Sequence, residues 1–439
     1  MSQAIVIGGS IAGLLTARVL LDHYDHVILL ERDQLPDGPE VRPGVPQAQH
    51  VHALLLQGYH LVESLFPNLT DDLIAQGAQL LDWTNDWKFL TMWAWMPQHK
   101  SNLKGLICSR LLLEWYLRQQ LLQRSGFSLK AQTCAQSLIR DRDRITGVVI
   151  DHKVNGPTTL QADLVVDASG RRSQLPEWLM ELGYGPVETS AVNSFLGYAS
   201  RWYEYAPEDA IEGVIIASKP GTTRRGGVVY PVEGNRCVIT LSGFEKDYPS
   251  NQEDEFLEFA KSLRDPSIYH AIQRAQPLSP IYCYRNTANC LRHYEKLKTM
   301  PAGLVTLGDA VCAFNPSYGQ GMTVASLGAI LLGDCLDDSS TKESLNSKFS
   351  LQFQRKLAKV IEMPWMMATG EDFRWKMTTG DRPDWLTRKT QGYFDRVVQA
   401  ANADIKIYDD FLQVAHMAKS PSVLFHPRTL WKALAQSPG

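Results

Sequence analysis

Gly8-Gly9-Ser10-Ile11-Ala12-Gly13 lies between two apolar runs. A turn of this kind can seat an anionic diphosphate. The first glycine makes the tight strand-to-helix turn, and the sixth lets helix and strand pack closely. The third position ordinarily lets backbone approach a pyrophosphate, and here it is Ser10. Its Cβ costs approach distance, while its hydroxyl can donate to a phosphate oxygen. A helix opening at Ile11 aims unpaired N–H groups at the anion, worth about 0.3–2 kcal/mol. Glu31 ends the next apolar run, where a carboxylate can accept both ribose hydroxyls and disfavour a 2′-phosphate. The expected nucleotide is therefore FAD or NAD rather than NADP. The alternative is an ordinary strand–turn–helix with a solvated Glu31.

A second set of residues lies far down the chain. Gly303–Gly308 is an apolar run stopping at Gly308-Asp309, followed by Asn315-Pro316-Ser317-Tyr318-Gly319-Gln320-Gly321-Met322 and a long apolar stretch. A strand that stops at Gly-Asp exposes a carboxylate at the C-terminal edge of a sheet, where α/β folds place ligands. Asp309 can accept hydrogen bonds from a polyol there. The glycines and the following helix dipole suit the charge of a reduced flavin around its N1 and C2 oxygen.

Elements must position these residues. Residues 3–8 and 27–31 read as buried strands around a helix over 11–22, a strand–helix–strand unit. Residues 33–50 read as a loop and 51–66 as a helix. Ser109 is the expected N-cap of a helix reaching about residue 124. Strands follow near 128–139 and 145–151, and another at 164–167. Residues 175–290 alternate in short segments, the pattern of an antiparallel sheet. A helix is expected over about 321–336, and 345–435 reads as mostly helical, with Trp365, Phe373, Trp375, Trp385 and Tyr393 along it. The fold class is α/β with α+β elements. A Rossmann-like parallel sheet over 1–174 and 291–340 forms a discontinuous nucleotide domain, 175–290 a substrate domain, and 341–439 a helical C-terminal region.

Composition excludes several classes. The 439 residues are 44% apolar and 21% charged, with a net charge of −3 and no basic stripe, which argues against nucleic-acid binding. No run reaches the roughly 18 apolar residues of a membrane span, and no signal peptide is visible. The seven cysteines, Cys108, Cys134, Cys237, Cys283, Cys290, Cys312 and Cys335, contain no CxxC pair. A reducing, cytoplasmic setting is expected. No Ser-His-Asp order, HExxH or metal-ligand cluster appears, so no metal and no acid or base is assigned. Composition leaves the oligomeric state open.

Three motifs together, Gly8–Gly13 with Glu31, Asp167-Ala168-Ser169-Gly170-Arg171, and Gly308-Asp309 with Gly319-Gln320-Gly321, resemble those of class A flavin monooxygenases, the relatives of para-hydroxybenzoate hydroxylase and squalene epoxidase. The pattern is most similar to the polyene epoxidases of polyether biosynthesis. These share Gly44-Val45-Pro46-Gln47 with His50 and His52, Cys108-Ser109-Arg110, Ala162–Asp167 and Phe314-Asn315-Pro316, with a weaker likeness from Trp365 to Asp372. The likeness spans roughly residues 1–375. It implies that Gly8, Ser10, Ile11, Ala12, Gly13 and Glu31 hold the AMP half of FAD, with Arg32 beside the adenosine and Ala135 near adenine. It implies Arg110 at the diphosphate, Asp309 at the ribityl chain, and Pro316, Gly321 and Met322 by the isoalloxazine. Asp167 and Gly170 belong to a turn linked in the family to FAD and NAD(P)H. The family usually has Asp-Gly there, which leaves the NAD(P)H role open.

The implied activity is monooxygenation. NADPH or NADH reduces FAD, and one atom of O2 passes to a small hydrophobic substrate by epoxidation or hydroxylation. Trp202, Tyr203 and Tyr230 are candidates for the pocket wall, with core packing as the alternative. His50 and His52 could face the flavin or be structural. A flavin-dependent halogenase, a prenyl reductase and a non-redox FAD-bound cyclase or binding protein are rival readings. Trp93-Ala94-Trp95-Met96-Pro97 superficially resembles a halogenase signature, but is read as a helix or strand carrying core aromatics.

Overall fold

The computed structural model describes residues 1–206, 212–338, 346–382 and 385–436, without the side chains of 385–390. The expected 340/341 boundary and the Trp385 side chain lie outside the described residues.

Five short apolar segments form one parallel sheet. Its strand order is Leu304–Thr306, Leu164–Asp167, Gln3–Ile7, His26–Leu30, Phe127–Lys130. The inner strands read as unbroken aliphatic runs because both faces are covered, so nothing alternates. Ala4, Ile5, Val6, Leu29, Val165 and Val305 are fully buried. The helix Ile11–Leu20 packs on this sheet and against the helix Gly321–Asp337. A Cβ on Gly333 would stand 2.9 Å from Val19 Cγ1, so this glycine sets how closely the two helices approach. The long helix Ser347–Asp372 lies against Gly321–Asp337, and Gln354 donates to the Thr306 carbonyl at 3.0 Å. The helix starting at Arg110 is capped by Ser109, whose side chain accepts from the Leu112 N–H.

A larger sheet is built from the middle of the chain. Gly197–Glu204, Arg236–Gly243, Arg225–Val232 and Gly213–Ile216 run antiparallel, and Tyr282–Tyr284 and Gln276–Pro277 pair with the first of these strands. Its far edge comes from elsewhere. Trp87–Leu90 pairs in parallel with Gly213–Ile216. Four residues are too few to show a period, so this strand was invisible in the sequence. The helices Trp385–Ala401, Ile405–Ala415 and Pro427–Leu434 close over the sheet, sharing a core with Trp83, Trp87, Trp202 and Tyr230. Asp404 caps Ile405–Ala415 by accepting from Lys406 N and Ile407 N, and it also binds Arg428 and Lys432.

Two local expectations change. The helix expected over 51–66 begins only at Leu56, because Leu55 is extended. The segment from Trp93 to Pro97 is neither helix nor core strand: Trp95 is 37% exposed and touches the sheet by a single bridge to Leu90. Trp93 lies under the Lys219 ammonium, 5.1 Å from the ring centre. Among the described residues, no helix is long and apolar enough to cross a membrane, and no His, Cys, Asp and Glu cluster could hold a metal.

Candidate functional site

The N-terminal turn is a cradle that leaves no room for side chains. Gly8 has φ +108°, and a Cβ there would stand 2.5 Å from the Ala168 carbonyl oxygen. A Cβ on Gly13 would stand 1.8 Å from the Gly8 carbonyl oxygen. On Gly9 it would meet the Glu31 side chain at 3.0 Å. That contact is tight but with side chain only, so Gly9, a position the fingerprint leaves free, is constrained less than Gly8 and Gly13. Ser10 is the N-cap of the helix Ile11–Leu20, yet its side chain makes no cap hydrogen bond. Its hydroxyl is turned aside, donating to Glu114 Oε2 at 2.9 Å and accepting from Arg110 Nη2 at 2.6 Å. The helix N-terminus has no side-chain oxygen over it and borders the cavity described below.

Beside the turn lies a buried charge cluster. Arg42, 6% exposed, is 3.0 Å from Glu31 Oε2, 2.8 Å from Asp33 Oδ2 and 2.9 Å from Glu114 Oε1. It also donates to the Gly9 carbonyl at 3.2 Å. Burial pulls the Arg42 guanidinium down, but Glu114 and Glu31 outweigh it and hold it above its ordinary value. Burial likewise pushes the Glu114 carboxyl up, and Arg110 and Arg42 more than reverse this. Glu31 accepts from Gly9 N at 3.0 Å and from Asp33 N at 2.9 Å. Its carboxylate is therefore tied to the protein more than a free ribose acceptor would be. Sequence reasoning missed Arg42 and Glu114. Glu114 had a signal, the four-residue spacing from Arg110 on one helix face. Arg42 sits in a Pro/Gly-rich loop with no period to betray it.

The second motif closes on the first. Gly308 has φ +64°, and a Cβ there would stand 2.8 Å from Ala12 Cβ, so the Asp309 turn rests on the first turn of the N-terminal helix. Loss of surrounding water pushes the Asp309 carboxyl up, while Arg171, Arg110 and Arg292 pull it down. One cavity of about 1430 Å³ runs past both turns. Gly8, Ser10, Ile11, Ala12, Glu31, Arg32, Arg110, Ala135, Gly170, Asp309, Pro316, Gly321 and Met322 all line it. Gly13 does not, because it packs helix on strand. Asp167 does not either, and this corrects its expected place at the ligand. It is buried, accepting from Ser169 N at 3.0 Å, Ser169 Oγ at 2.6 Å and Ser173 Oγ at 2.5 Å. It shapes the turn that brings Ala168, Ser169 and Gly170 to the cavity.

The same cavity opens into an apolar compartment. Trp87, Phe89, Ile215, Val228 and Tyr230 form its sheet side, and Phe394, Tyr408, Phe411, Leu412, Val414 and Leu424 its helical side. Trp83 stacks on Trp87 at 4.7 Å, and His416 meets Trp83 edge-on at 4.6 Å. Of the expected wall residues only Tyr230 lines the compartment. Trp202 packs in the core and donates to the Gln49 carbonyl at 3.0 Å, while Tyr203 is buried on the opposite face of the sheet. Strand alternation separates Trp202 from Tyr203, and only the tertiary packing decides what each face meets.

His52 lines the cavity, whereas His50 lies behind it with Nδ1 2.7 Å from Ser200 Oγ. Burial pulls His50 down to about 4 and His416 to about 3, so both are neutral at pH 7. A histidine depressed in the folded state contributes stability above its unfolded value near 6.5, lost as pH falls. Between pH 7.5 and pH 5 each should cost about 2 kcal/mol, so the pair removes about 4 kcal/mol. Urea unfolding at the two pH values measures this, with His50→Gln/His416→Gln as the reference. Equal pH dependence in both proteins contradicts neutral burial.

The arrangement fits FAD on its own evidence. The cradle has no space for a Cβ at Gly8 or Gly13, a helix N-terminus is open at the cavity, and Arg110 Nε is buried without a partner among the described residues. A model of the family described as FAD binding domain matches residues 91–341.

This chain belongs to that FAD-binding family.

It carries an FAD binding domain. Protein Rv3254 of Mycobacterium tuberculosis (strain ATCC 25618 / H37Rv) is 32% identical over 422 residues, covering 94% of this chain and 88% of that protein. The fold is similar to that of p-nitrophenol 4-monooxygenase PnpA from Pseudomonas putida DLL-E4, with TM-score 0.63 and 16% identity over 94% of this chain and 97% of that one. It is also similar to the myxobacterial chondrochloren halogenase CndH, with TM-score 0.62 and 16% identity over 96% and 98%.

Proposed function

We propose that this FAD enzyme is a single-chain monooxygenase acting on a small hydrophobic substrate, by epoxidation or hydroxylation, with NADH or NADPH as reductant. The balance is one substrate, one O2, one NAD(P)H and one proton giving the oxygenated product, NAD(P)+ and water. The observation that carries the reading is the single cavity joining the glycine cradle to the aromatic compartment. Bound FAD supplies the redox chemistry; the chain's residues position it and exclude water. On this reading residues 1–174 and 291–340 hold FAD. Gly8, Ser10, Ile11, Ala12 and Gly13 shape the diphosphate seat, and Glu31 and Arg32 flank the adenosine, with Ala135 near the adenine. Asp309 accepts from the ribityl hydroxyls, and Pro316, Gly321 and Met322 border the ring. Asp167 acts from behind, through the 168–173 turn. The middle segment 175–290 and the helices after residue 341 enclose the substrate.

Arg110 would reach the diphosphate through its unpartnered Nε edge. Arg110→Met leaves Glu114 paired with Arg42, so folding should survive. A charge-assisted hydrogen bond of about 1.5–3 kcal/mol is lost, so the dissociation constant of FAD should rise roughly 10- to 100-fold. Flavin fluorescence titration measures it, and unchanged affinity would remove Arg110 from the site.

The test of the reading as a whole is the visible spectrum of the purified protein, followed by NAD(P)H and O2 consumption against a panel of apolar alkenes and arenes. A protein that cannot be reconstituted with FAD refutes it. Bromide- or chloride-dependent product favours the halogenase reading, which the likeness to CndH supports. Turnover without O2 favours a reductase, and FAD binding without any NAD(P)H oxidation favours a non-redox role.

A further inference from the structure

Asp372, the last residue of the helix Ser347–Asp372, is fully buried, far from the glycine cradle in sequence and absent from the cavity wall. Its carboxylate collects three neutral donors from two other segments. Asn289 Nδ2 lies 2.6 Å from Oδ2, and Asn315 Nδ2 and the Tyr318 hydroxyl each lie 2.8 Å from Oδ1. Asn315 is locked further. Its N–H donates to Asn289 Oδ1 at 2.7 Å, its Oδ1 accepts from Ser317 N at 3.0 Å, and its Nδ2 reaches Ser194 Oγ at 3.3 Å. Asn289 and Asn315 are themselves buried. The turn held this way, Pro316–Tyr318 followed by Gly319 at φ +66°, lines the cavity immediately before the helix Gly321–Asp337.

A buried carboxylate with neutral partners is costly, and a cluster of this kind is stable only while every member is satisfied. Burial pushes the Asp372 carboxyl up to about 6, against the pull of Tyr318, Ser194, Asn315 and Asn289. A simple packing role would be met more easily by an apolar side chain. What a carboxylate adds here is two oxygens that fix three donors at once, two of them on the same turn.

We infer that Asp372 is a positioning residue for the isoalloxazine, acting through Asn315 and Tyr318 to fix the backbone of the 315–319 turn that faces the ring. This rests on the flavin placement proposed above. Asp372 itself does not touch the cofactor. Its effect should therefore fall on the environment of the bound flavin more than on whether FAD binds.

The test compares wild-type and Asp372→Asn holoenzymes by visible circular dichroism, reduction potential, and sulfite or iodide access to the flavin. The amide keeps the shape but turns one acceptor into a donor facing donors. FAD affinity should change by less than about tenfold, since the cradle is untouched. The circular dichroism and potential should move toward those of free FAD, and solute access should rise several-fold. An Asp372→Asn flavin identical to wild type in all three overturns the inference. Should Asp372→Asn fail to fold, Tyr318→Phe decides, because it removes one donor and leaves the carboxylate paired with both asparagines. A smaller shift in the same direction supports the proposal, and none overturns it. A wild-type protein that binds no FAD instead refutes the functional reading on which the inference depends.

Discussion

Arg42→Met should destabilise the protein by about 3–5 kcal/mol, the largest effect expected of any single side chain near the site. The guanidinium is the shared partner of Glu31, Asp33 and Glu114, all within 3.0 Å and nearly buried. Without it Glu114 keeps Arg110 and the Ser10 hydroxyl, and Glu31 and Asp33 lose the Arg42 cation. A thioether of similar length fills space but neutralises nothing. Burial pushes Glu114 up and Arg110 and Arg42 together hold it below its ordinary value, so losing Arg42 makes it take up protons more readily. A carboxylate held low by its cations contributes stability at neutral pH that is lost as pH falls, so the deficit of the variant should be largest at neutral pH and shrink toward pH 4. Urea unfolding of wild type and variant at pH 5 and pH 7.5 reads both effects. A loss below about 0.5 kcal/mol at pH 7.5, the usual size for an unimportant surface change, would show that the cluster does not need its central cation.

Gly13→Ala should be almost as damaging, by pure geometry. The added Cβ would lie 1.8 Å from the Gly8 carbonyl oxygen and 3.4 Å from Leu29 Cδ1. The first obstacle is backbone and cannot rotate away, so the helix Ile11–Leu20 must move off the sheet. Overpacking of this sort costs about 1–3 kcal/mol and sometimes more. The same shift carries the helix N-terminus and Ala12 away from Gly308, pulling apart the two motifs that meet there. The protein should lose bound flavin at 450 nm as well as several degrees of thermal midpoint. Gly9→Ala is the control. Its Cβ meets only the Glu31 side chain, at 3.0 Å, and that side chain can give way. A Gly13→Ala protein as yellow and as stable as Gly9→Ala would show that the cradle tolerates displacement.

Much of the scaffold was legible because parallel strands buried on both faces have no choice of register that exposes polar atoms. The runs Gln3–Ile7, His26–Leu30, Leu164–Asp167 and Leu304–Thr306 appear in the sequence as aliphatic stretches ending in glycine or acid, and all four lie in one sheet. The glycines were legible for a similar reason: φ values near +108° at Gly8 and +64° at Gly308 restrict the residue type from within the chain.

The polar side chains were harder to read. Arg42 and Asp372 satisfy partners distant in sequence, and neither lies in a periodic pattern that would mark it. Asp167 was placed at the ligand by its motif, yet its short side chain finds Ser169 and Ser173 first and turns away from the cavity.

The sequence by itself determined the parallel sheet and the glycine turns, since close backbone approach and strand burial are local demands on residue type. The tertiary structure alone decided the rest: which cation neutralises Glu31, which turn Asp372 holds, and which aromatics face the apolar compartment. Those outcomes depend on contacts between segments far apart along the chain, such as Trp83 with His416 or Asn315 with Asp372. Charge neutralisation and aromatic packing act through space and leave no period along the chain.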